Sequence, residues 1–205
     1  MDLAIFGATG GTGRHLVEQA LAAGHRVTVL VRNPAARTVQ HERLRVVQGD
    51  ARDPARVAAI IPSQDAVLSA IGTNARGPVT NCADATRHIL TAMTHENVRR
   101  LIVLSAYGAA DSHDGGLYTR LVWLLQKDKM ADKDRMEELL RHSALDWTLV
   151  RPPALTNGPR TQQYHTGTGL RMKVTSRISR ADVADFMLRQ VANATFVRQA
   201  PAIAA

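Results

Sequence analysis

The stretch Gly7-Ala8-Thr9-Gly10-Gly11-Thr12-Gly13 joins an apolar run, Leu3 to Phe6, directly to a segment whose Leu16, Val17, Ala20 and Leu21 recur at helical spacing. A strand that turns this tightly into a helix places the helix start, with its unpaired N–H groups and the positive end of its dipole, at the strand's carboxyl end. Glycines there remove the Cβ atoms that would hold an anion away from the backbone. The position makes the signal specific. The G-x-x-G-x-x-G spacing differs from the commoner G-x-G-x-x-G, and the same glycines elsewhere would read as a flexible turn. Gly7, Thr9, Gly10, Gly11, Thr12 and Gly13 are therefore candidate diphosphate-binding residues.

Apolar runs of strand length then alternate with helix-period segments along the chain, the pattern of a parallel sheet with helices on both faces. Strands are expected at Leu3 to Phe6, Val27 to Val31, Leu44 to Val47, Ala66 to Ile71, Leu101 to Leu104 and Trp147 to Val150. Most are near-continuous apolar runs, as strands covered on both faces should be. The first helix ends at Gly24, and others are expected over Pro54 to Ile61, Asp84 to Thr94, Leu117 to His142 with a break near Lys127, and Ala181 to Val191. A short seventh strand is expected near Phe196. With no repeat or linker in view, residues 1–205 read as one α/β domain, a Rossmann fold with a doubly wound sheet in the order 3-2-1-4-5-6.

At 205 residues the chain can fill one core but not a separate substrate domain, so any substrate site must be built from loops of the same domain. No apolar run is long enough to span a bilayer, and the N-terminus lacks the pattern of a signal peptide. A lone cysteine, Cys82, rules out an internal disulfide and fits a reducing compartment, so a cytoplasmic protein with no membrane association is expected. Cys82 and the eight histidines show no ligand spacing, and no metal site is expected. The formal charge of +8 raises nucleic acid as a partner. The basic residues, all but four of them arginine, are scattered, and only 4% of residues are aromatic and able to stack on bases, so none is expected.

An NAD enzyme normally places a carboxylate at the end of the second strand to accept from the adenosine ribose hydroxyls. Here that position is Arg32, no carboxylate occurs between Val27 and Glu42, and Arg37 follows. Guanidinium groups at this edge suit a ribose 2′-phosphate, so NADP(H) is preferred over NAD(H). The other strand ends carry Gly49-Asp50, Ile71-Gly72-Thr73, Ser105-Ala106-Tyr107 and Arg151-Pro152-Pro153-Ala154. Asp50 can accept from the adenine amino group, and Gly72 lets backbone approach the second ribose. Ser105 can hydrogen-bond the carboxamide or the acceptor, or simply close its strand.

Together with Ser143 to Leu145 and Ile178-Ser179-Arg180-Ala181-Asp182-Val183-Ala184, these residues resemble the atypical short-chain dehydrogenase/reductase group that includes flavin reductase/biliverdin-IXβ reductase and related bacterial NAD(P)H-binding oxidoreductases. The resemblance spans nearly the whole chain. It implies that the glycine loop, Arg32 with Arg37, Asp50 with Ala51, Ala70-Ile71-Gly72, Ser105 and Pro153-Ala154-Leu155 hold NADP(H). The substrate is then expected near Ser105 and the loop from Pro152 to Gly158. Lys133 matches a position that is basic in the resembled group, where it would attract an anionic acceptor or remain a solvated helix lysine. Ala154 departs from the histidine of the mammalian members, which argues against biliverdin in particular.

Most short-chain dehydrogenases pair a Tyr with a Lys four residues on, the Lys favouring proton transfer from the phenol. Tyr107, Tyr118 and Tyr164 are followed at that spacing by Asp111, Val122 and Thr168, and the motif's expected place reads Lys129-Met130-Ala131-Asp132-Lys133. A simple ketone is thus disfavoured, whereas a conjugated acceptor, such as a flavin or quinone, spreads incoming charge and takes its proton from water. Ser105 and Lys133 are the candidate catalytic residues of an NADPH-dependent reductase acting on such a small molecule, as a monomer or homodimer. A non-catalytic NADP(H)-sensing regulator is the alternative, and an epimerase or isomerase ranks below both. The apolar stretch Leu117 to Leu125 can be a lid, a dimer contact or a core helix.

Overall fold

Alternating side chains of short apolar strands pack to both sides of one sheet in the computed structural model, which describes residues 1–35, 39–72 and 77–205. Strands β1 (Asp2–Phe6), β2 (Arg26–Val31), β3 (Leu44–Gln48), β4 (Ala66–Ser69), β5 (Arg100–Leu104) and β6 (Asp146–Val150) are parallel and stand in the order β3-β2-β1-β4-β5-β6. Helices α1 (Gly11–Ala22), α2 (Pro54–Ala58), α3 (Asn81–His95), α4 (Leu117–Arg141) and α5 (Arg180–Arg189) cover the faces. Leu3, Ile5, Val29 and Leu68 meet Leu16 and Ala20 of α1 and Val183 and Met187 of α5. On the other face Ala4, Phe6, Leu101 and Val103 meet Ile89 and Met93 of α3 and Met136 and Leu140 of α4. Burial of each large side chain here contributes roughly 1.5–3 kcal/mol.

The expected strand order is the observed one, and the departures lie at element ends. β3 is half exposed because it is the sheet's edge, where Arg43 and Arg45 discourage pairing with another chain. β4 stops at Ser69, two residues early, where the chain turns past Gly7. α1 ends as expected, with Gly24 at φ +83°, its N–H on Leu21 O and that of His25 on Ala20 O. α2 starts under the Asp53 cap but ends at Ala58 rather than Ile61, with Pro62 following closely. α4 breaks at Gln126 (φ −138°, ψ 31°), next to the expected Lys127.

The last strand is displaced from the expected site. Phe196 packs edge-on against Phe186, and pairing begins only at Gln199, which bridges to Thr148 beside β6. Three short strands were not anticipated: β7 (Ala154–Thr156), which pairs with β9 (Arg177–Ser179), and β8 (His165–Gly167). The displaced last strand, β10 (Ala202–Ala204), pairs with β8.

Segment 160–164 is tied to α5 by two buried carboxylates. Asp182 accepts from the Thr161 and Gln162 N–H groups at 2.7 and 2.8 Å, and Asp185 accepts from Arg160, Tyr164 and Arg189. Burial alone pushes both carboxyls up, but these bonds outweigh it and hold them below the usual carboxylate range. A carboxyl lowered on folding stabilises fully above its unfolded value of about 4 and loses that contribution as pH falls through the folded value. Thermal melts are therefore expected to drop below about pH 4. Asp185→Asn should melt lower at neutral pH and fall less steeply in acid; an unchanged acid slope would contradict this.

Candidate functional site

Because the six strands are parallel, their carboxyl ends form one edge, and the chain reverses its direction of winding between β1 and β4. The glycine turn lies at that reversal. A Cβ on Gly7, which has φ +75°, would stand 2.6 Å from the Ala70 carbonyl carbon, and one on Gly13 would stand 2.0 Å from Gly7 O. These glycines let β1 turn into α1 flush against the end of β4. The turn is closed by Gly10 N–H on Gly7 O at 3.0 Å and by Arg14 Nε on Thr9 O at 3.0 Å. The N-cap of α1 is Gly10, which has no side chain to cap it, and no acidic residue occupies the first turn, so the helix end carries a partial positive charge. Thr12 and Gly13 are buried, whereas Gly10 and Gly11 are exposed.

Arg32 follows β2 in an exposed position and makes no ion pair among the described residues. Arg37 lies outside the described residues. Asp50, beyond β3, is gripped by Arg52 at 2.7 Å, and Arg52, with a smaller contribution from Arg32, lowers its carboxyl to about 2. Arg52 was missed in the sequence, although its place two residues after Asp50 makes it a third cation on this edge. Asp50 is thus an ionised, partnered group. The neighbouring Ala51 carbonyl contacts His88 Nδ1 at 3.3 Å. Gly49 has a packing reason, since a Cβ there would meet Arg56 and Leu30.

Lys133 is no solvated helix lysine. Its ammonium donates to Leu104 O at 2.6 Å and Ile71 O at 3.3 Å, joining the ends of β5 and β4 and leaving one N–H without an oxygen partner among the described residues. Asp132, the preceding residue, is buried and accepts from the Cys82 and Ala83 N–H groups at 2.9 and 3.1 Å, capping α3 from a distance. The two side chains fix the depth at which α4 meets the edge. Ala70 is buried with its N–H on Phe6 O, and an added Cβ at exposed Gly72 would touch nothing within 4 Å among the described residues.

Ser105 is buried, and its hydroxyl donates to Glu137 at 2.5 Å. Its only proton is committed there, so toward a ligand it can act solely as an acceptor. Glu137 in turn holds the buried guanidinium of Arg151, which also pairs with Asp111. Pro153 is buried, Ala154 exposed, and Leu155 half-buried, with β7 carrying the last two beside β9. The phenols of Tyr107 and Tyr164 are occupied by Asp114 and Asp185. Tyr118 packs edge-on against Tyr107, and burial pushes its phenol up to about 12.

The core-helix reading of Leu117 to Leu125 fails for its leucines: Leu117, Leu124 and Leu125 are 74%, 80% and 70% exposed. Trp123 Nε1 donates to Gly108 O, holding the segment to the loop after β5. Among the described residues no cluster of His, Cys, Asp or Glu suits a metal, and no helix is long and apolar enough to cross a membrane.

A six-stranded parallel sheet in this order, with a glycine turn at its reversal, defines a nucleotide-binding protein of the Rossmann class. The chain belongs to the NAD(P)H-binding family, whose model matches residues 7–194. It is 28% identical over 202 residues to the uncharacterized protein YwnB of Bacillus subtilis, covering 93% of this chain and 92% of that one. ChuY, an anaerobillin reductase of Escherichia coli O157:H7, is similar in structure with a TM-score of 0.84 at 24% identity, over 99% of this chain and 96% of that one. A short-chain dehydrogenase/reductase of Veillonella parvula in complex with NADP gives 0.81 at 20% identity, over 100% and 94%. At these identities the two structures speak for the fold.

Proposed function

We propose that this chain is an NADPH-dependent oxidoreductase that reduces a conjugated small molecule such as a flavin or quinone. The observation that carries the reading is the carboxylate-free start of α1, with glycine at its N-cap, set against the end of β4, with Arg32 exposed at the next edge and in no ion pair among the described residues. Bound NADPH supplies hydride chemistry that the side chains themselves lack.

In this reading the N–H groups of Gly11, Thr12 and Gly13 bind the diphosphate, and Arg32, Arg37 and Arg52 face the 2′-phosphate. Asp50 and Ala51 border the adenine, while Ala70, Ile71 and Gly72 border the second ribose. Lys133 orients that ribose with its remaining N–H and contributes positive charge. Ser105 acts as a positioning residue that holds β5 to Glu137 and offers an acceptor. Pro153, Ala154 and Leu155 form the wall beyond β6. The exposed leucines of α4 supply an apolar surface for the acceptor ring. The proposed setting is a single cytoplasmic domain acting as a monomer or homodimer, with neither nucleic acid nor membrane as partner.

One observation favours the sensor alternative: the hydroxyl protons of Ser105, Tyr107 and Tyr164 are all engaged within the protein. The two readings separate on turnover. Purified protein should bind NADPH and lose the reduced-nicotinamide absorbance when menadione or a flavin is added. Binding without oxidation by any such acceptor would leave the sensor and remove the reductase. Arg32→Ala should weaken NADPH by roughly tenfold or more while sparing NADH, as loss of a charge-assisted phosphate bond requires. Equal affinity of the wild type for both coenzymes would overturn the choice of NADP(H).

A further inference from the structure

Arg180 opens α5 and lays its side chain across the first turn of α1. A Cβ built on Gly11 would stand 2.7 Å from Arg180 Cδ and 2.8 Å from its Nε, so the missing side chain at Gly11 makes room for this arginine. Arg180 Nη1 donates to Asn157 Oδ1 at 2.7 Å and reaches Leu155 O at 3.5 Å. Its remaining N–H groups have no partner among the described residues, and no carboxylate pairs with it there. Other arginines of the chain do find carboxylates: Arg26 with Asp2, Arg99 with Asp146, Arg160 with Asp185.

A guanidinium beside the positive, uncapped end of a helix is an arrangement of like sign, unfavourable on its own. An anion between the two reverses the sign of both contacts, and the planar fork of Arg suits phosphate oxygens. We infer that Arg180 is a diphosphate ligand that closes the glycine loop from the α5 side and, through Asn157, couples the bound diphosphate to the segment after β6. The inference rests on the reading of the glycine loop as the dinucleotide site. It differs from the part given to Arg32 because a diphosphate is common to NADPH, NADH and ADP.

The test is calorimetry of NADPH, NADH and ADP with the wild type, Arg180→Gln, Arg180→Lys and Asn157→Ala, each first checked for a cooperative thermal melt. Arg180→Gln should weaken all three ligands by about tenfold or more, with Arg180→Lys between it and the wild type. The deficit should shrink between roughly 0.05 and 1 M salt, as a charge interaction does and a packing defect does not. Asn157→Ala, which keeps the charge, should bind more tightly than Arg180→Gln. Should Arg180→Gln fail to melt cooperatively, Arg180→Lys and the salt dependence of the wild type carry the test. Wild-type affinity in Arg180→Gln, or a deficit indifferent to salt, overturns the inference. Failure of the wild type to bind either dinucleotide instead removes the underlying reading, and that result is seen before any variant is compared.

Discussion

Glu137→Ala is expected to lower the folding free energy by about 3–5 kcal/mol, the usual consequence of removing one partner from a buried ion pair. Glu137 is 0% exposed and Arg151 5% at the side chain. Arg151 Nε donates to Glu137 Oε1 at 3.0 Å, and the Nη2 pair is closer still. Without the carboxylate, Arg151 keeps, among the described residues, only Asp111, whose own side chain is largely in water and is shared with Arg141. A guanidinium cannot escape by losing its proton, so the full desolvation penalty falls on the fold. For a chain of this size the loss corresponds to a melting point lower by roughly 6–20 °C. Glu137→Gln, which keeps the shape and the Ser105 contact, should lie between the two. Urea unfolding of the three proteins decides the matter: a loss below about 1 kcal/mol for the alanine variant would mean that water or Asp111 compensates the cation. The consequence reaches the candidate site, because Ser105 and Arg151 directly follow the adjacent strands β5 and β6.

That triad also marks where sequence reading stops. The sheet was legible because strands buried on both faces carry near-continuous apolar runs, and the glycine turn because its position between β1 and α1 gives it a physical reason. The break at Gln126 lies next to Lys127, where the sequence reading expects one. Partner choice between distant side chains carries no local pattern. Ser105 offered a hydroxyl at a strand end, but its commitment to Glu137, 32 residues on, depends on how deeply α4 packs. Lys133 left two roles open until Leu104 O and Ile71 O were seen to receive it. Arg180 sits in the Ser179-x-x-Asp182 cap that starts α5, a visible local signal; its reach to Gly11, 169 positions away in the chain, was not. The half-exposed β3 and the leucines of α4 were misread or left open for a related reason. An apolar residue at a strand or helix position does not disclose whether a neighbouring element covers it.

Gly13→Ala should abolish dinucleotide binding, because a Cβ there meets backbone at a shorter distance than at any other glycine of the turn. The new Cβ would stand 2.0 Å from Gly7 O, 2.7 Å from Gly7 C and 3.0 Å from Ala8 Cα, all backbone atoms of the same loop. Relief requires Gly7 to retreat by on the order of 1 Å, but Gly7 is itself pressed against Ala70 and Ile71 at the end of β4. Alanine's higher helix propensity, worth about 1 kcal/mol, does not offset a clash of this kind. A displacement of that size moves the N–H groups of α1 out of register with a diphosphate, and an affinity loss of about a hundredfold or more is expected. Gly11→Ala should be milder, because the obstacle there is the flexible side chain of Arg180. Gly72→Ala meets nothing among the described residues, so its stability should change by less than about 0.5 kcal/mol, and any lost affinity would report the approach of the ligand itself. Calorimetry with NADPH ranks the three. Near-native binding by Gly13→Ala would show that the loop opens without moving its N–H groups, and the close approach of α1 to β4 would lose its functional meaning.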